Sequence, residues 1–215
     1  MFYINDVIRE AKIFCENESR KNHNDILGIT DGKAVGTYVE QLFKEFLKSK
    51  YNNINLGNSA VGIDLPDINT DIKVTSIKQP QSSCPFKNAE QKIFGLGYNL
   101  LVFVYDKIEI NNICNLYFKY CSFIPSDRTS DFTMTKRLIE MKKDGANIED
   151  IIGFLSDRNI PADDIGYNKI ANKILNSNIK QGYLTISNAL QWRIQYSNVI
   201  KLNNNVDGII NYEWN

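Results

Sequence analysis

The stretch DLPDINTDIK, residues 64–73, places four charged side chains and one proline directly before the run VTSI at 74–77. A run with clustered β-branched residues after Asp, Asn and Pro is typical of a strand that begins behind a turn. We therefore predict a strand over 71–77 and a short partner strand over 60–65, which makes the stretch the turn of a β-hairpin. That turn is either ordinary acidic turn chemistry or a site that holds a metal ion.

The segments around this hairpin predict an α/β fold. Apolar residues recur at helical spacing over 2–19 and 32–50, and another helix is predicted over 88–97. The run LLVFVYD at 100–106 has the continuous apolar character of a central strand that is buried on both faces, and a further strand is predicted over 116–124. We expect a mixed β-sheet flanked by helices.

The character of the chain changes after Pro125. Three helices are predicted over 132–143, 148–158 and 164–175. We expect a single domain with an α/β core over 1–125, a helical subdomain over 126–180, and a return to the core over 181–215.

Composition excludes several kinds of protein. The chain of 215 residues has 25 basic and 25 acidic side chains, so nucleic-acid binding would need a localised basic surface. Its one histidine, His23, excludes sites that need several histidines, and its polar neighbours predict a surface loop. The four cysteines lack a C-x-x-C pair, which indicates buried, reduced thiols. Neither a membrane span nor a signal peptide is visible, so a cytoplasmic location is expected.

The position of the triplet Asp71-Ile72-Lys73 suggests chemistry. Asp71 and Lys73 project from one face of the strand, and Asp64 ends the partner strand beside them. Two converging carboxylates repel each other unless a cation lies between them, and oxygen ligands favour Mg²⁺ or Mn²⁺. Such an ion binds a phosphodiester oxygen and lowers the pKa of a bound water, while Lys73 can stabilise charge in the transition state.

The motif Asp64-Leu-Pro-Asp67 followed by Asp71-Ile-Lys73 resembles the PD-(D/E)XK nuclease superfamily, and within it the branch that contains the mismatch-repair nicking enzyme MutH. The resemblance covers about 32–106 and implies a restriction-endonuclease-like core. It implies that Asp64 and Asp71 bind Mg²⁺, for which Mn²⁺ can substitute. A literal reading of "PD" would choose Asp67 as the ligand, and we prefer Asp64 because Asp71 follows Asp67 by only four positions.

The same resemblance implies two more groups near the metal. The backbone carbonyl of Ile72 is a further expected ligand, and Glu40 on the preceding helix matches the family's helical glutamate. A solvated helix glutamate is the alternative for Glu40. The branch also has a downstream active-site lysine, for which Lys87 and Lys92 are the candidates.

Two polar segments and one helix are candidates for DNA contact. Gln, Asn, Ser and Arg read base edges, and Lys contacts phosphate, although all of them are also common in plain loops and solvated helix faces. The candidate residues are Lys78, Gln79, Gln81, Ser82, Ser83, Gln191, Arg193, Gln195, Lys136 and Lys142.

The sequence is therefore interpreted as a type II restriction endonuclease that hydrolyses double-stranded DNA with Mg²⁺ at a short specific sequence. One alternative is a MutH-like nicking repair endonuclease. The other is a non-enzymatic helix-turn-helix regulator, because the predicted helices around 133–158 are joined by a short turn that contains Gly. Both a monomer and a homodimer are compatible with the sequence.

Overall fold

The computed structural model describes residues 2–57, 62–84, 87–187, 193–202 and 206–214. The chain forms two compact units, the first from 1–82, 98–124 and 200–215, and the second from 83–97 and 125–199. In chain order the helices and strands are α1 (Ile4–Glu18), α2 (Gly32–Lys50), β1 (Thr70–Ser76), β2 (Gln81–Ser83), α3 (Gln91–Phe94), β3 (Asn99–Ile110), β4 (Ile113–Ile124), α4 (Phe132–Lys143), α5 (Ile148–Asp157), α6 (Asp164–Asn176), β5 (Thr185–Ile186), β6 (Arg193–Gln195), α7 (Ser197–Ile200) and β7 (Ile210–Glu213).

A four-stranded mixed sheet with the order β1-β3-β4-β7 forms the centre of the first unit. Strand β1 runs parallel to β3 and sets Asp71 beside Leu100, while β4 runs antiparallel to both β3 and β7. Both faces of β3 are buried from Leu100 to Tyr105, as its continuous apolar sequence predicted. The predicted mixed α/β fold is confirmed.

An aromatic core fixes α1 and α2 on this sheet. The rings of Phe14 and Phe43 lie 5.1 Å apart, and those of Phe43 and Phe103 lie 5.0 Å apart, which joins both helices to β3. Helix α2 begins where the Asp31 side chain accepts hydrogen bonds from the first-turn N–H groups of Lys33 and Ala34. Because one face of α2 is locked in this core, the direction of its half-buried residues is fixed as well.

Residues 60 and 61 of the predicted strand over 60–65 lie outside the described residues. Over 62–65 the predicted strand is wrong. Only Leu65 pairs, exchanging two backbone hydrogen bonds of 2.9 and 3.1 Å with Thr70. Pro66 has no N–H to donate and starts a 3-10 turn over Pro66–Ile68, which ends at Asn69 with a left-handed φ of 47°. The hairpin is thus reduced to one closed pair of residues.

The helix predicted over 88–97 is also shorter than expected. Helix α3 ends at Gly95, whose φ of 91° is not helical. A side chain at that position would meet the Ser126 carbonyl oxygen at 2.3 Å, so both the backbone angle and the space require glycine.

The second unit contains the three predicted helices α4, α5 and α6 within one residue of their expected bounds. Each begins at a side chain that accepts a hydrogen bond from a first-turn N–H, namely Asp131, Asn147 and Asp163. Apolar side chains from all three helices make one core, with the completely buried residues Leu138, Ile151, Leu155, Ala171 and Ile174 at its centre. Strands β5 and β6 pair antiparallel in the same unit.

The two units do not follow the predicted segment boundaries at every point. Residues 125–199 lie in the second unit together with 83–97, and β7 brings the C-terminal segment to the edge of the central sheet. The prediction for His23 is wrong. Its side chain is buried, with Nε2 2.9 Å from the Glu18 carbonyl oxygen and Nδ1 3.2 Å from the Tyr38 hydroxyl.

Two expectations from composition can be compared with the structure. All four cysteines are buried thiols that form no disulfide, as predicted. Within the described residues, no helix combines the length and apolar character that a membrane crossing requires.

Candidate active site

Three segments of the first unit bring charged side chains together. Helix α2 contributes Glu40 and, one turn later, Lys44. Asp64 precedes the 3-10 turn, and β1 contributes Asp71 and Lys73 near its start. These five side chains are called the carboxylate cluster below.

Asp71 is at the centre of the cluster. Its Oδ2 lies 2.7 Å from the Lys73 ammonium nitrogen, so the two side chains share one face of β1. The carboxyl groups of Asp64 and Asp71 lie within hydrogen-bonding reach of each other. The other side of Asp64 is fixed because its Oδ2 accepts the Ile72 N–H at 2.9 Å. The structure therefore brings Asp64, Asp71 and Lys73 together.

Lys44 is a member of the cluster that sequence reasoning missed. Its ammonium nitrogen lies 2.6 Å from Glu40 Oε1 and 2.6 Å from Asp64 Oδ1. The spacing of four residues after Glu40 on one helix face was the available signal, since such pairs meet routinely. The contact with Asp64, twenty positions away, could not be seen from that spacing.

Burial and like charge perturb the carboxyl groups of the cluster. The pKa of Asp71 is raised to about 6, mainly by burial; Lys73 opposes the rise, and the neighbouring Asp64 contributes to it. Burial also raises the pKa of Glu40. For Asp64 burial acts in the same direction, but hydrogen bonds from Asp71, Lys44 and the Ile72 N–H outweigh it and lower the pKa. Two adjacent carboxyl groups with opposite shifts are typical of a site that is completed by a proton or a cation.

The donor set of the cluster fits a hard cation. Among the described residues, no three His, Cys, Asp or Glu side chains are already arranged as a metal site. The carboxyl groups of Asp64 and Asp71 nevertheless converge, and the ammonium of Lys44 already bridges Asp64 and Glu40. The cluster thus offers carboxylate oxygens, the ligands that Mg²⁺ and Mn²⁺ prefer.

Asp67 lies apart from this cluster. Its side chain is exposed and accepts a hydrogen bond from the Asn55 amide at 3.3 Å. Asp64, and not the aspartate of the literal "PD", is therefore the residue whose carboxyl group meets Asp71.

The candidate DNA contacts of the first unit follow the end of β1. Lys78 and Gln79 are exposed, while Gln81 and Ser82 are half-buried at the start of β2. The Thr75 hydroxyl bonds the backbone of Gln79 and Gln81 at 3.0–3.1 Å, which holds the turn in one shape.

The remaining DNA-contact candidates lie in the second unit. Lys136 is exposed on α4, Arg193 and Gln195 are exposed on β6, and Ser83 is exposed on β2. Gln191 lies outside the described residues.

Lys142 and the two downstream lysines have different environments. The Lys142 ammonium contacts the carbonyl oxygen of Ile174 at 2.7 Å and also that of Ser177, so a phosphate contact would have to replace bonds at the end of α6.

The two candidates for the downstream active-site lysine are Lys87 and Lys92. Lys87 is exposed and Lys92 is buried, and both belong to the second unit.

Comparison with known proteins gives a match along nearly the whole chain. Residues 1–211 match the family described as type II restriction enzyme NspV. A curated relative, the type II restriction enzyme NspV from Nostoc sp. (strain ATCC 29411 / PCC 7524), is 51% identical over 203 residues. That alignment covers 94% of this chain and 92% of the relative. No solved structure matches the chain.

Proposed function

The chain belongs to the family of the type II restriction enzyme NspV, and we propose that it is a sequence-specific type II restriction endonuclease that cuts at the carboxylate cluster. The observation that carries the assignment of the site is the convergence of Asp64 and Asp71 beside Lys73. The relative is named a type II restriction enzyme, and its similarity over 94% of this chain supports the same kind of activity here.

We assign the site to the PD-(D/E)XK superfamily and, within it, to the MutH-like branch. The position of Asp64 beside Asp71 supports this assignment, because the branch places its first acid seven residues before the second. The half-buried Glu40 on α2, joined to Asp64 through Lys44, supports its role as the helical glutamate.

Asp64 and Asp71 would hold a Mg²⁺ ion, with Glu40 and the Ile72 carbonyl as further ligands, and Mn²⁺ would substitute. When bound, the ion would supply a polarised phosphodiester and a more acidic water. Carboxylate oxygens that are held by the Ile72 N–H and by β1 are already ordered, so little conformational entropy is lost on binding.

Lys73 would act on the reacting groups. Its ammonium is kept at the cluster by Asp71, 2.7 Å away, and its side chain is four-fifths buried, which reduces the screening of its charge by water. From this position it can donate a hydrogen bond to the attacking water or to a phosphate oxygen whose negative charge grows in the transition state.

DNA would be held by residues outside the cluster. The exposed Lys78 and Gln79 follow the catalytic strand directly, and the Thr75 hydroxyl keeps their turn rigid. Arg193, Gln195, Ser83 and Lys136 are further proposed contacts, because Arg and Gln read base edges and Lys binds phosphate. A homodimer is proposed as the active form, since one cluster hydrolyses one strand and a symmetric pair can address both.

Digestion of plasmid DNA of mixed sequence tests this function. With Mg²⁺ we expect discrete fragments, and excess chelator should abolish cleavage. Asp71→Asn is the control that removes the cluster's chemistry. Nicked circles in place of fragments would assign a nicking enzyme, and intact plasmid with retained DNA binding would assign a non-enzymatic DNA-binding protein.

A further inference from the structure

One ammonium group of the protein occupies the place between two acidic side chains of the cluster. Lys44 Nζ is 2.6 Å from both Glu40 Oε1 and Asp64 Oδ1, and its side chain is four-fifths buried. Such a short double contact is stronger than a surface ion pair because both carboxylates are partly removed from water. The acidic side chains that are proposed to bind a metal ion therefore already have a positive partner.

The backbone of Lys44 is fixed, but the position of its ammonium depends on the rotamer of its side chain. Val39, Phe43 and Leu47 on the adjoining face of α2 are completely buried, so the helix cannot rotate away from Asp64. The lysine side chain carries a compact charge on a flexible four-carbon stem. A rotamer change can therefore withdraw the ammonium from the two carboxylates without moving the helix.

We propose that Lys44 is an internal counter-cation that holds Glu40 and Asp64 in the metal-free enzyme and is displaced when a divalent ion binds. The inference rests on the proposed function, because it concerns the same carboxylates. Lysine and metal then compete for the same oxygens, so Lys44 weakens metal binding while it keeps the ligands in place.

The competition sets the size of the expected effect. An opposite charge within about 4–6 Å changes the affinity of a carboxylate for a proton by roughly ten- to a thousandfold. The affinity for a competing divalent ion should respond on a similar scale when the lysine charge is removed.

Mn²⁺ binding to the protein without DNA is the direct test, measured from the electron paramagnetic resonance signal of free Mn²⁺. Lys44→Met keeps the apolar stem, and Lys44→Gln keeps hydrogen-bond donors, while both remove the charge. We expect each variant to bind Mn²⁺ at least about tenfold more tightly than the wild type. Lys48→Met, at an exposed lysine one turn further along α2, should bind as the wild type does.

Thermal unfolding gives a second readout that does not depend on cleavage. In chelator, Lys44→Met should unfold at a lower temperature than Lys48→Met, because Glu40 and Asp64 then repel each other without a partner. Added Mn²⁺ should raise the unfolding temperature of Lys44→Met more than that of the wild type.

Two results would overturn the inference in distinguishable ways. If the wild type binds Mn²⁺ and cuts DNA, and the Lys44 variants bind Mn²⁺ no more tightly, Lys44 is not a competitor and the proposed function stands. If neither the wild type nor any variant binds Mn²⁺ and none cuts DNA, the metal mechanism fails, and this inference fails with it.

Discussion

The carboxylate cluster and the helical second unit use charged residues in opposite ways. In the second unit, Asp131 and Asp163 each accept hydrogen bonds at a helix start, and Lys142 donates to carbonyl oxygens at a helix end. Each of these charges satisfies backbone groups that would otherwise lack partners. In the cluster, the half-buried Asp64 lies beside the buried Asp71, and burial shifts the pKa of Asp71 upward to about 6.

The difference indicates where folding free energy and chemistry reside. A carboxylate that caps a helix stabilises the fold, whereas a buried carboxylate beside another one costs stability and is available for a ligand. Removing an aspartate should therefore have opposite effects on stability in the two regions, and only one region should affect cleavage.

The largest expected effect is on cleavage. Asp71→Asn and Lys73→Ala should each lower the cleavage rate at least about a hundredfold, the scale of one lost preorganised contact. Asp64→Asn should match them, and Asp67→Asn should be much milder, since Asp67 is exposed outside the cluster. Rates are measured on a plasmid with one site, and DNA binding is measured in Ca²⁺, where it should persist. Normal cutting by all four variants would leave 64–73 as an acidic turn without catalytic function.

The second expected effect is a gain in stability when Asp71, which we propose is needed for cleavage, is replaced. The pKa of Asp71 is raised from 3.8 to about 6 in the folded protein, so ionisation above pH 6 costs stability. In chelator at pH 8, Asp71→Asn should be more stable than the wild type by an amount on the order of 1–3 kcal/mol. The gain should shrink as the pH falls through 6 and vanish below about 4. Urea unfolding at several pH values measures it, and a less stable variant at pH 8 would contradict the comparison.

In the second unit, removal of an aspartate is expected to lower the free energy of unfolding. Asp163 Oδ1 accepts the Gly166 N–H at 2.7 Å, and Asp163→Ala should lower the free energy of unfolding by about 1 kcal/mol. Cleavage well below the unfolding temperature should stay at the wild-type rate. Asp164→Ala, at the next residue, serves as the control and should have a smaller effect because its side chain does not cap the helix.

The smallest effect is expected on the salt dependence of DNA binding. Lys136→Ala should reduce the slope of log affinity against log salt by about one, as for one lost phosphate contact. Lys142→Ala should leave the slope unchanged and lower stability, since that ammonium caps the end of α6. Fluorescence anisotropy of labelled DNA over a salt series measures the slope for each variant. An equal loss of slope in both variants would assign Lys142 to DNA as well.

The helices and strands with a clear pattern of apolar residues could be predicted from the sequence. The long helices α1, α2, α4, α5 and α6 and the buried strand β3 have runs of periodic or continuous apolar residues, so tertiary contacts had little to alter. The meeting of Asp64 and Asp71 was also expected, although it depends on the Leu65–Thr70 pair and not on the longer hairpin that was predicted.

The features that were missed depend on contacts between distant residues. The polar neighbours of His23 indicated exposure, but its ring is buried against Tyr38 and the carbonyl oxygen of Glu18. Lys44 resembles an ordinary helix-surface partner of Glu40 until Asp64 is placed beside it. No local pattern encodes either position, because the partner that defines it comes from another element.

The closed pair of Leu65 and Thr70 limits which sequence changes this site can accept during evolution. Its two hydrogen bonds enclose only the four residues 66–69, so the length of that segment sets where Asp64 lies relative to Asp71 on β1. One inserted residue would shift the Leu65–Thr70 pairing by one and move Asp64 away from Asp71, which the β1–β3 ladder keeps in place. Exchange of the exposed Asp67 leaves the spacing intact. Insertion scanning through 66–69 should therefore yield inactive enzymes at every position, so that variation at this site proceeds by replacement of residues and not by change of length.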